Sequence, residues 1–491
     1  MYKYIDDSFA LHTDLYQINM AETYWRDRID QKKAVFEVYF RKLPFGNGFA
    51  VFAGLERLID YIQHFQFTET DIDYLREEGY QEDFLLYLKE MRFNGNVRSM
   101  KEGEIVFANE PLLRIEAPLA EAQLIETAIL NIVNYQTLIA TKASRIKQVI
   151  GNQEAMEFGT RRAQEMDAAI WGTRAAFIGG FSATSNVRAG KLFNMPISGT
   201  HAHSMIQAYQ DEYVAFHKYA NTHKNCVFLV DTYDTLKSGV PNAIKVAKEL
   251  GDQINFIGIR LDSGDLAFLS KKARKMLDEA GFQEAKIIAS NDLDENTIMN
   301  LKAQGAKIDV WGIGTKLITA YDQPALGAVY KLVSIEDDSK NMVDTIKISA
   351  NPEKVSTPGL KRVYRIINKD NHKSEGDYIA LENEHPQEEK RLKMFHPVHT
   401  FISKFVTNFE ARELHHEIFN NGKLLYEIPT LQCIQDTVKE NLELLWDEYK
   451  RPLNPEEYPV DLSQECWDHK MNKINEVKEK INKQLSNRGE Q

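Results

Sequence analysis

The chain has 491 residues, is 43% hydrophobic and 27% charged, and carries a formal net charge of -12. That size allows two or three domains with sizeable cores, and the acidic balance argues against a broad nucleic-acid surface, leaving local basic pockets for anions. No apolar run approaches the roughly 18 residues of a membrane span, MYKYIDDSFALHTD lacks the basic flank and apolar stretch of a leader, and three cysteines without a CxxC pair fit reduced thiols, so a cytoplasmic enzyme with no membrane or nucleic-acid partner is expected.

Residues 1–135 mix strand-like segments, KAVFEVYFRKL and GEIVFANEPLLRIEAP, with helical ones, and read as an N-terminal α/β domain. A long helix from about Leu119 to Ile150 leads out of it. From 136 to 349 a rhythm takes over. AMEFGTRR at 155–162, PISGTHAHS at 196–204, CVFLVDTYDT at 226–235, FIGIRLDSGD at 256–265, KIIASNDLDE at 286–295 and IDVWGIGTK at 308–316 each close an apolar run with polar, small or charged residues. Such runs suit strands buried on both faces. Between them, PNAIKVAKELG and DLAFLSKKARKMLDEAG read as helices stopped by glycine. Six βα-sized units in series predict an α/β fold centred on a TIM-like barrel, with the active site at the strand C-termini; a doubly wound sheet is the alternative. After the barrel, VYKLVSIEDDSKNMVDTIKISA reads as a hairpin with a polar turn and KRVYRII as a strand, so that about 350–420 completes the N-terminal domain. Residues 421–491, rich in Asn, Lys and Glu at helical spacing, read as a solvated helical C-terminal appendage.

The polar strand ends hold the chemistry. In GIRLDSGD, Arg260 and Asp262 are two apart, so strand alternation points both into the barrel mouth. An arginine there can clamp a carboxylate or phosphate with two hydrogen bonds, and Asp262 or Asp265 can hold Mg2+ or ribose hydroxyls. The plainer alternative is a buried Arg–Asp pair with Asp265 capping a helix. In EFGTRRAQ, Arg161 and Arg162 follow a strand end, where one can meet an anion or both can sit on the next helix's surface. SND (Ser290–Asp292) and GIGTK (Gly312–Lys316) expose backbone N–H groups that suit a phosphate, and late-strand loops of α/β barrels are a frequent phosphate site. DTYDT offers Asp231 and Asp234 to a metal, a histidine or a helix end. GTHAHS sets His201 and His203 two apart. No Cys cluster, HExxH or third histidine accompanies them, which disfavours a metal site, and Ser204 lacks the GxSxG setting of a nucleophile elbow. A loop histidine among phosphate-binding motifs and carboxylates can itself attack phosphate, or be plain structure.

Taken in one order along the chain, HTDLYQINM, FRKLPFGNGFAVFAGL, EFGTRRAQ, GTHAHS, LVDTYDT, IRLDSGD, SNDLDE, GIGT and KVSTPG resemble the motifs of nicotinate phosphoribosyltransferases, a family of type II phosphoribosyltransferases. The resemblance covers most of the chain and fades towards its C-terminal part. It implies an ATP-dependent ligase that makes nicotinate mononucleotide and pyrophosphate from nicotinate and 5-phosphoribosyl-1-pyrophosphate, the first step of NAD salvage from nicotinate. It implies that ATP phosphorylates His203, whereas His201 is local structure. By the same resemblance Tyr16 stacks on the pyridine ring, Thr200 and Arg260 contact nicotinate with Arg260 on its carboxylate, and Arg161 lies near. Ser356, or its neighbour Thr357, touches the phosphoribosyl pyrophosphate; Gly312, Gly314 and Thr315 cradle the 5′-phosphate; Asp262 meets ribose or Mg2+. Mg2+ would come with the phosphates rather than sit in a protein cage, and ATP would be a co-substrate. The resemblance also implies a homodimer with a shared active site, Tyr16 acting across to the partner. A nicotinamide- or quinolinate-using relative on the same fold is the alternative, but the arginines of GIRLDSGD and GTRR suit a carboxylate, where an amide-using relative would place an acid.

Overall fold

A computed structural model describes residues 9–351 and 354–488. The first eight residues, part of the segment read above as no leader, lie outside them, as do two residues of the loop NPEKVSTPG. The chain forms two compact units, Met1–Leu138 with Ala325–Gln491, and Ile139–Pro324.

The second unit is built on a six-stranded parallel sheet. Its strands are β1 (Glu154–Glu157), β2 (Ala183–Thr184), β3 (Asn225–Leu229), β4 (Asn255–Leu261), β5 (Lys286–Ser290) and β6 (Val310–Ile313), in the spatial order β2-β1-β6-β5-β4-β3. Strands β3 to β6 are thus neighbours in chain order and β6 then pairs with β1, the circular order of a curled half-barrel. No ladder joins β2 to β3 among the described residues. Helices return the chain between strands, among them Glu165–Ile178 after β1, Leu266–Glu279 after β4 and Glu295–Ala303 after β5, as parallel pairing requires. Val227, Ile288 and Val310, with Met156 and Ile257, pack as one apolar layer contributed by five strands, which is why these segments read as unbroken apolar runs.

One expected unit is different. The apolar run before GTHAHS forms only an isolated bridge from Ile197 to Thr184, and the strand in that place is the two-residue β2, upstream of it. Pro196 has no N–H to give a ladder, and Ser198, Gly199 and Thr200 favour a loop. In β4 the register against β3 shifts between Cys226 and Val227, leaving an extra residue on β4. Gly258 lies there, and a Cβ on it would fall 1.9 Å from the Lys286 carbonyl oxygen of β5, so glycine lets the two backbones approach.

The first unit carries a seven-stranded sheet, in spatial order Met342–Asp344, Ala328–Glu336, Lys33–Phe40, Leu113–Pro118, Asn96–Ser99, His416–Asn420 and Lys423–Leu424. The hairpin expected after the barrel is its first pair, with Glu336 opposite Met342. A four-stranded sheet follows, Phe409–Glu413, Lys361–Asn368, Ser374–Leu381 and Val460–Leu462. That last strand corrects the helical reading of the C-terminal part. Leu431–Leu444 and Gln464–Arg488 are helices, yet between them Val460–Leu462 pairs in parallel with Ser374–Leu381, and Tyr458 and Cys466 beside it are buried. The region is woven into a sheet rather than appended to it. The helix expected from Leu119 is two, Leu119–Leu124 and Glu126–Ile150, and the second continues past Leu138 into the other unit. Among the described residues no helix is long and apolar enough to cross a membrane.

Candidate functional site

The C-terminal ends of the parallel strands gather most of the residues singled out above. His203 is the first residue of the helix His203–Tyr209, and its side chain is 38% exposed. Its Nδ1 pairs with Thr232 Oγ1 at 3.0 Å. Its Nε2 lies 3.9 Å from Asp231 Oδ1 and 3.8 Å from Asp262 Oδ2. Asp231 stands just beyond β3 and is 1% exposed. Its Oδ2 accepts from the Asp262 N–H and the Ser263 hydroxyl, both at 2.7 Å, whereas its buried Oδ1 has no hydrogen-bond partner. Asp262 in turn accepts from the Ser290 hydroxyl at the end of β5. Leaving a buried acceptor unsatisfied costs on the order of 1–3 kcal/mol, so Asp231 Oδ1 is poised for a donor or a cation.

The other acids of these motifs have different work. Asp234 accepts from the Leu236 and Lys237 N–H groups at 3.2 and 2.9 Å, and Asp265 from the Phe268 N–H at 2.9 Å. Both cap the turn directly after them. The plainer alternative therefore describes Asp265, while Asp262 faces the histidine.

Arg260, on β4, donates from Nη1 to Thr200 Oγ1 at 2.6 Å. Burial, and then the charge of Arg161, pull its pKa below the ordinary arginine value, against Asp262 and Asp231. Its buried Nε has no protein acceptor. A half-buried cation with donors to spare suits an anionic ligand. Arg161 and Arg162 lie exposed on the single turn Thr160–Arg162. Glu157 holds that turn: it accepts from the Gly159 N–H, from the Thr173 hydroxyl at 2.9 Å and from the Thr184 hydroxyl at 2.7 Å. Burial raises its pKa against those three donors.

His201 plays a separate part. It is buried, its Nε2 accepts from the Leu229 N–H at 3.3 Å, and its ring meets Tyr219 edge-on at 5.1 Å. Burial, and then the Arg260 charge, push its pKa down to about 4, so it is neutral and braces the loop. Among the described residues no three His, Cys, Asp or Glu side chains converge to hold a metal ion.

The loops after β5 and β6 adjoin one another. Ser290 is in register with Gly312. A Cβ on Gly312 would sit 2.6 Å from the Phe158 ring and 3.4 Å from Ser290 Cβ, and one on Gly314 3.1 Å from the Phe158 carbonyl oxygen. Thr315 opens the short helix Thr315–Ile318. Two of the expected residues belong to the other unit. Tyr16 is 49% exposed in the first turn of the helix Leu15–Arg26. Ser356 is buried, its hydroxyl accepting from the Lys347 N–H at 3.0 Å; its neighbour Thr357 accepts from Lys470 Nζ at 3.1 Å.

Models of one protein family match most of the chain. Residues 11–134 match the nicotinate phosphoribosyltransferase N-terminal domain, 153–372 the nicotinate phosphoribosyltransferase family and 360–470 its C-terminal domain. The chain belongs to the nicotinate phosphoribosyltransferase family. It is similar to the nicotinate phosphoribosyltransferase of Bacillus subtilis (strain 168), 72% identical over 99% of each chain, and to that of Dictyostelium discoideum, 39% identical over 93% of this chain and 87% of the relative. The crystal structure of human nicotinic acid phosphoribosyltransferase superposes with a TM-score of 0.83 at 27% identity, covering 94% of this chain and 99% of the human one. A nicotinate-nucleotide pyrophosphorylase from Pyrococcus furiosus shares the fold, with a TM-score of 0.69 at 24% identity over 90% of this chain and 99% of the other.

Three features of this family member escaped the reading of the sequence. Thr232 on the His203 ring, Glu157 under the GTRR turn and the pairing of Lys316 with Asp294 at 2.8 Å all depend on contacts between different strand ends. The signal for the first was present, since Thr232 comes directly after Asp231 beyond a strand. Nothing local marked the other two.

Proposed function

We propose that the protein makes nicotinate mononucleotide and pyrophosphate from nicotinate and 5-phosphoribosyl-1-pyrophosphate, coupled to ATP as an ATP-dependent ligase, at the entry to NAD salvage from nicotinate in the cytoplasm. The observation that carries this reading is a half-buried arginine with spare donors, Arg260 on Thr200, opening onto the same strand ends as a half-exposed histidine set between two carboxylates. Family membership supports it. We read the curled parallel sheet as the wall of a TIM-like barrel whose mouth is the active site.

Arg260 pairs with the nicotinate carboxylate, and Thr200 holds the guanidinium at the angle that offers it. A carboxamide in that place leaves a half-buried cation without a counter-charge, so nicotinamide is disfavoured by the unmatched charge. Arg161 adds positive potential at the same mouth. A ring nitrogen of His203 attacks the terminal phosphorus of ATP; the phosphorus–oxygen bond to ADP breaks, and the ring gains positive charge that Asp231 and Asp262 stabilise. Thr232 fixes the ring in its plane. The phosphorylated ring then presents new acceptors to the loops around it, and its hydrolysis resets them. Gly312, Gly314 and Thr315 cradle the 5′-phosphate through backbone N–H groups and the threonine hydroxyl. Tyr16 stacks on the pyridine ring, and Ser356 touches the phosphoribosyl pyrophosphate, within a homodimer whose subunits share the active site. Asp231 Oδ1, buried without a partner, and Asp262 are hard oxygen donors that fit Mg2+ carried in on phosphates. When bound, Mg2+ neutralises the charge of the leaving pyrophosphate.

The test is product formation, monitored by chromatography, with nicotinate, nicotinamide and quinolinate in parallel, with and without ATP. Nicotinate mononucleotide from nicotinate alone, raised by ATP, is expected. His203→Ala should abolish both the ATP stimulation and the phosphohistidine that can be trapped on the wild type. Equal consumption of nicotinamide would overturn the role given to Arg260.

A further inference from the structure

The two loops read as the phosphate cradle come from neighbouring strands, and beyond the strand ends no ladder among the described residues holds them together. In the first loop, Asn291 and Asp292 have φ of +109° and +37°, left-handed conformations that cost about 1–3 kcal/mol each and persist only where the surroundings impose them. One flank is tied by the Ser290 hydroxyl to Asp262. The other is tied by Asp294, which caps the helix Glu295–Ala303 by accepting from the Thr297 N–H at 2.7 Å. It also takes the Lys316 ammonium at 2.8 Å and the Tyr321 hydroxyl at 3.3 Å on its second oxygen. Lys316 comes directly after Gly312–Thr315, and its ammonium lies over the Tyr321 ring, 5.0 Å from the centroid.

The anchor behind this pair is rigid. Glu295, next to Asp294, is buried with Lys142 at 2.9 Å and Arg145 at 2.6 Å, both on the helix Glu126–Ile150. Lys142 also meets Asp322 at 2.8 Å. One N–H of the Lys316 ammonium is committed to a buried carboxylate, and the ammonium lies over an aromatic face.

We infer that Lys316 and Asp294 are positioning residues of the phosphate cradle: their ion pair clamps the loop after β5 to the loop after β6, and Lys316 acts through Asp294 rather than by touching phosphate. This rests on the reading of Gly312–Thr315 as the 5′-phosphate site. A cradle of backbone N–H groups from two loops binds only if their separation is held, so the clamp sets affinity for the phosphorylated substrate and leaves nicotinate untouched.

The experiment measures kcat, KM for phosphoribosyl pyrophosphate and KM for nicotinate in the full-length enzyme, with calorimetric affinity for nicotinate mononucleotide, for Lys316→Met, Asp294→Asn, the double variant, Lys316→Arg and Thr315→Ala. Both single variants should raise KM for phosphoribosyl pyrophosphate about tenfold, the order of one charge-assisted hydrogen bond, and weaken the mononucleotide equally. KM for nicotinate should stay within about twofold, the double variant should be no worse than the worse single, and arginine at 316 should restore most of the loss. If Lys316→Met raises that KM while Asp294→Asn does not, Lys316 is a direct phosphate ligand and the inference is wrong. If neither does while Thr315→Ala does, the clamp fails and the cradle stands. If Thr315→Ala is also silent, the cradle reading falls and takes the clamp with it. A rise in both KM values together means general loosening, which also overturns it. Asparagine still caps a helix, so Asp294→Asn carries the test if Lys316→Met does not fold.

Discussion

Asp231 and Asp234, like Asp262 and Asp265, are identical residues three apart at the end of one strand, and each pair divides in the same way. The first acid turns into the site and the second caps the turn or helix after it. The strand end thus turns one side chain towards His203 while the next turn or helix claims the other for its orphan N–H groups. Composition and spacing could not separate these roles, because each role needs only a short carboxylate. Asp231→Asn should preserve the fold but replace the oxygen that faces His203 with a donor or a weaker acceptor. We expect ATP-stimulated kcat to fall by ~10²-fold while ATP-independent turnover persists, read by steady-state assays with and without ATP. Arg260→Lys should raise KM for nicotinate on the order of tenfold or more, since a point charge loses the planar fork; an unchanged KM would remove Arg260 from the carboxylate. His203, Arg260 and Asp262 were legible as candidates because each sits where an apolar run meets polar residues, and Thr200 through the family motifs. Tyr16 and Ser356 were legible through the family motifs alone, and neither lies in the unit that builds the cluster.

At the scale of the element, glycine at 258 has no substitute. Gly258→Ala would place a methyl on the Lys286 carbonyl, and the pairing of β4 with β5 should be lost, seen as insoluble protein rather than as a kinetic defect. By contrast Asp265→Ala removes only a cap of the helix Leu266–Glu279, and should lower stability by ~1 kcal/mol with substrate KM values unchanged, measured by denaturant titration. The parallel strands were readable because burial on both faces demands unbroken Ile, Val and Phe. The four-stranded sheet was less so. Its strands carry charges along their length, as in KRVYRIIN and SEGDYIAL, and those charges are satisfied far away in sequence. Arg365, fully buried, pairs with Asp377 at 2.6 Å and with Glu104 at 2.6 Å. No local pattern announces such a triad, and the strand Val460–Leu462 is only three residues long.

For the molecule as a whole, three histidines work against stability in acid. Burial first holds His201 at about 4, His415 at about 3 and His416 at about 4, and His415 Nε2 donates to the Pro111 carbonyl oxygen at 2.6 Å as a neutral ring. The unfolded chain takes up these protons near pH ~6.5, so it binds more protons than the native state below that pH, and stability falls as pH drops towards about 4. Asp461, pushed up to about 6 by burial, acts in the opposite sense, as do Glu37, Glu110, Glu121, Glu157 and Glu384, whose carboxyls burial also raises. Compared with the wild type, His415→Gln should lose less Tm as pH drops over that window, which differential scanning calorimetry reads directly. The chain's division has another consequence, in time rather than in space. The unit that holds His203 and Arg260 is one uninterrupted stretch, Ile139–Pro324, whereas its companion is split around it and needs Val460–Leu462 to finish its four-stranded sheet. On the ribosome the inserted unit has all its strands while the host still lacks Ala325–Gln491, more than half of its residues. The part of the protein that begins first is therefore the part that is completed last.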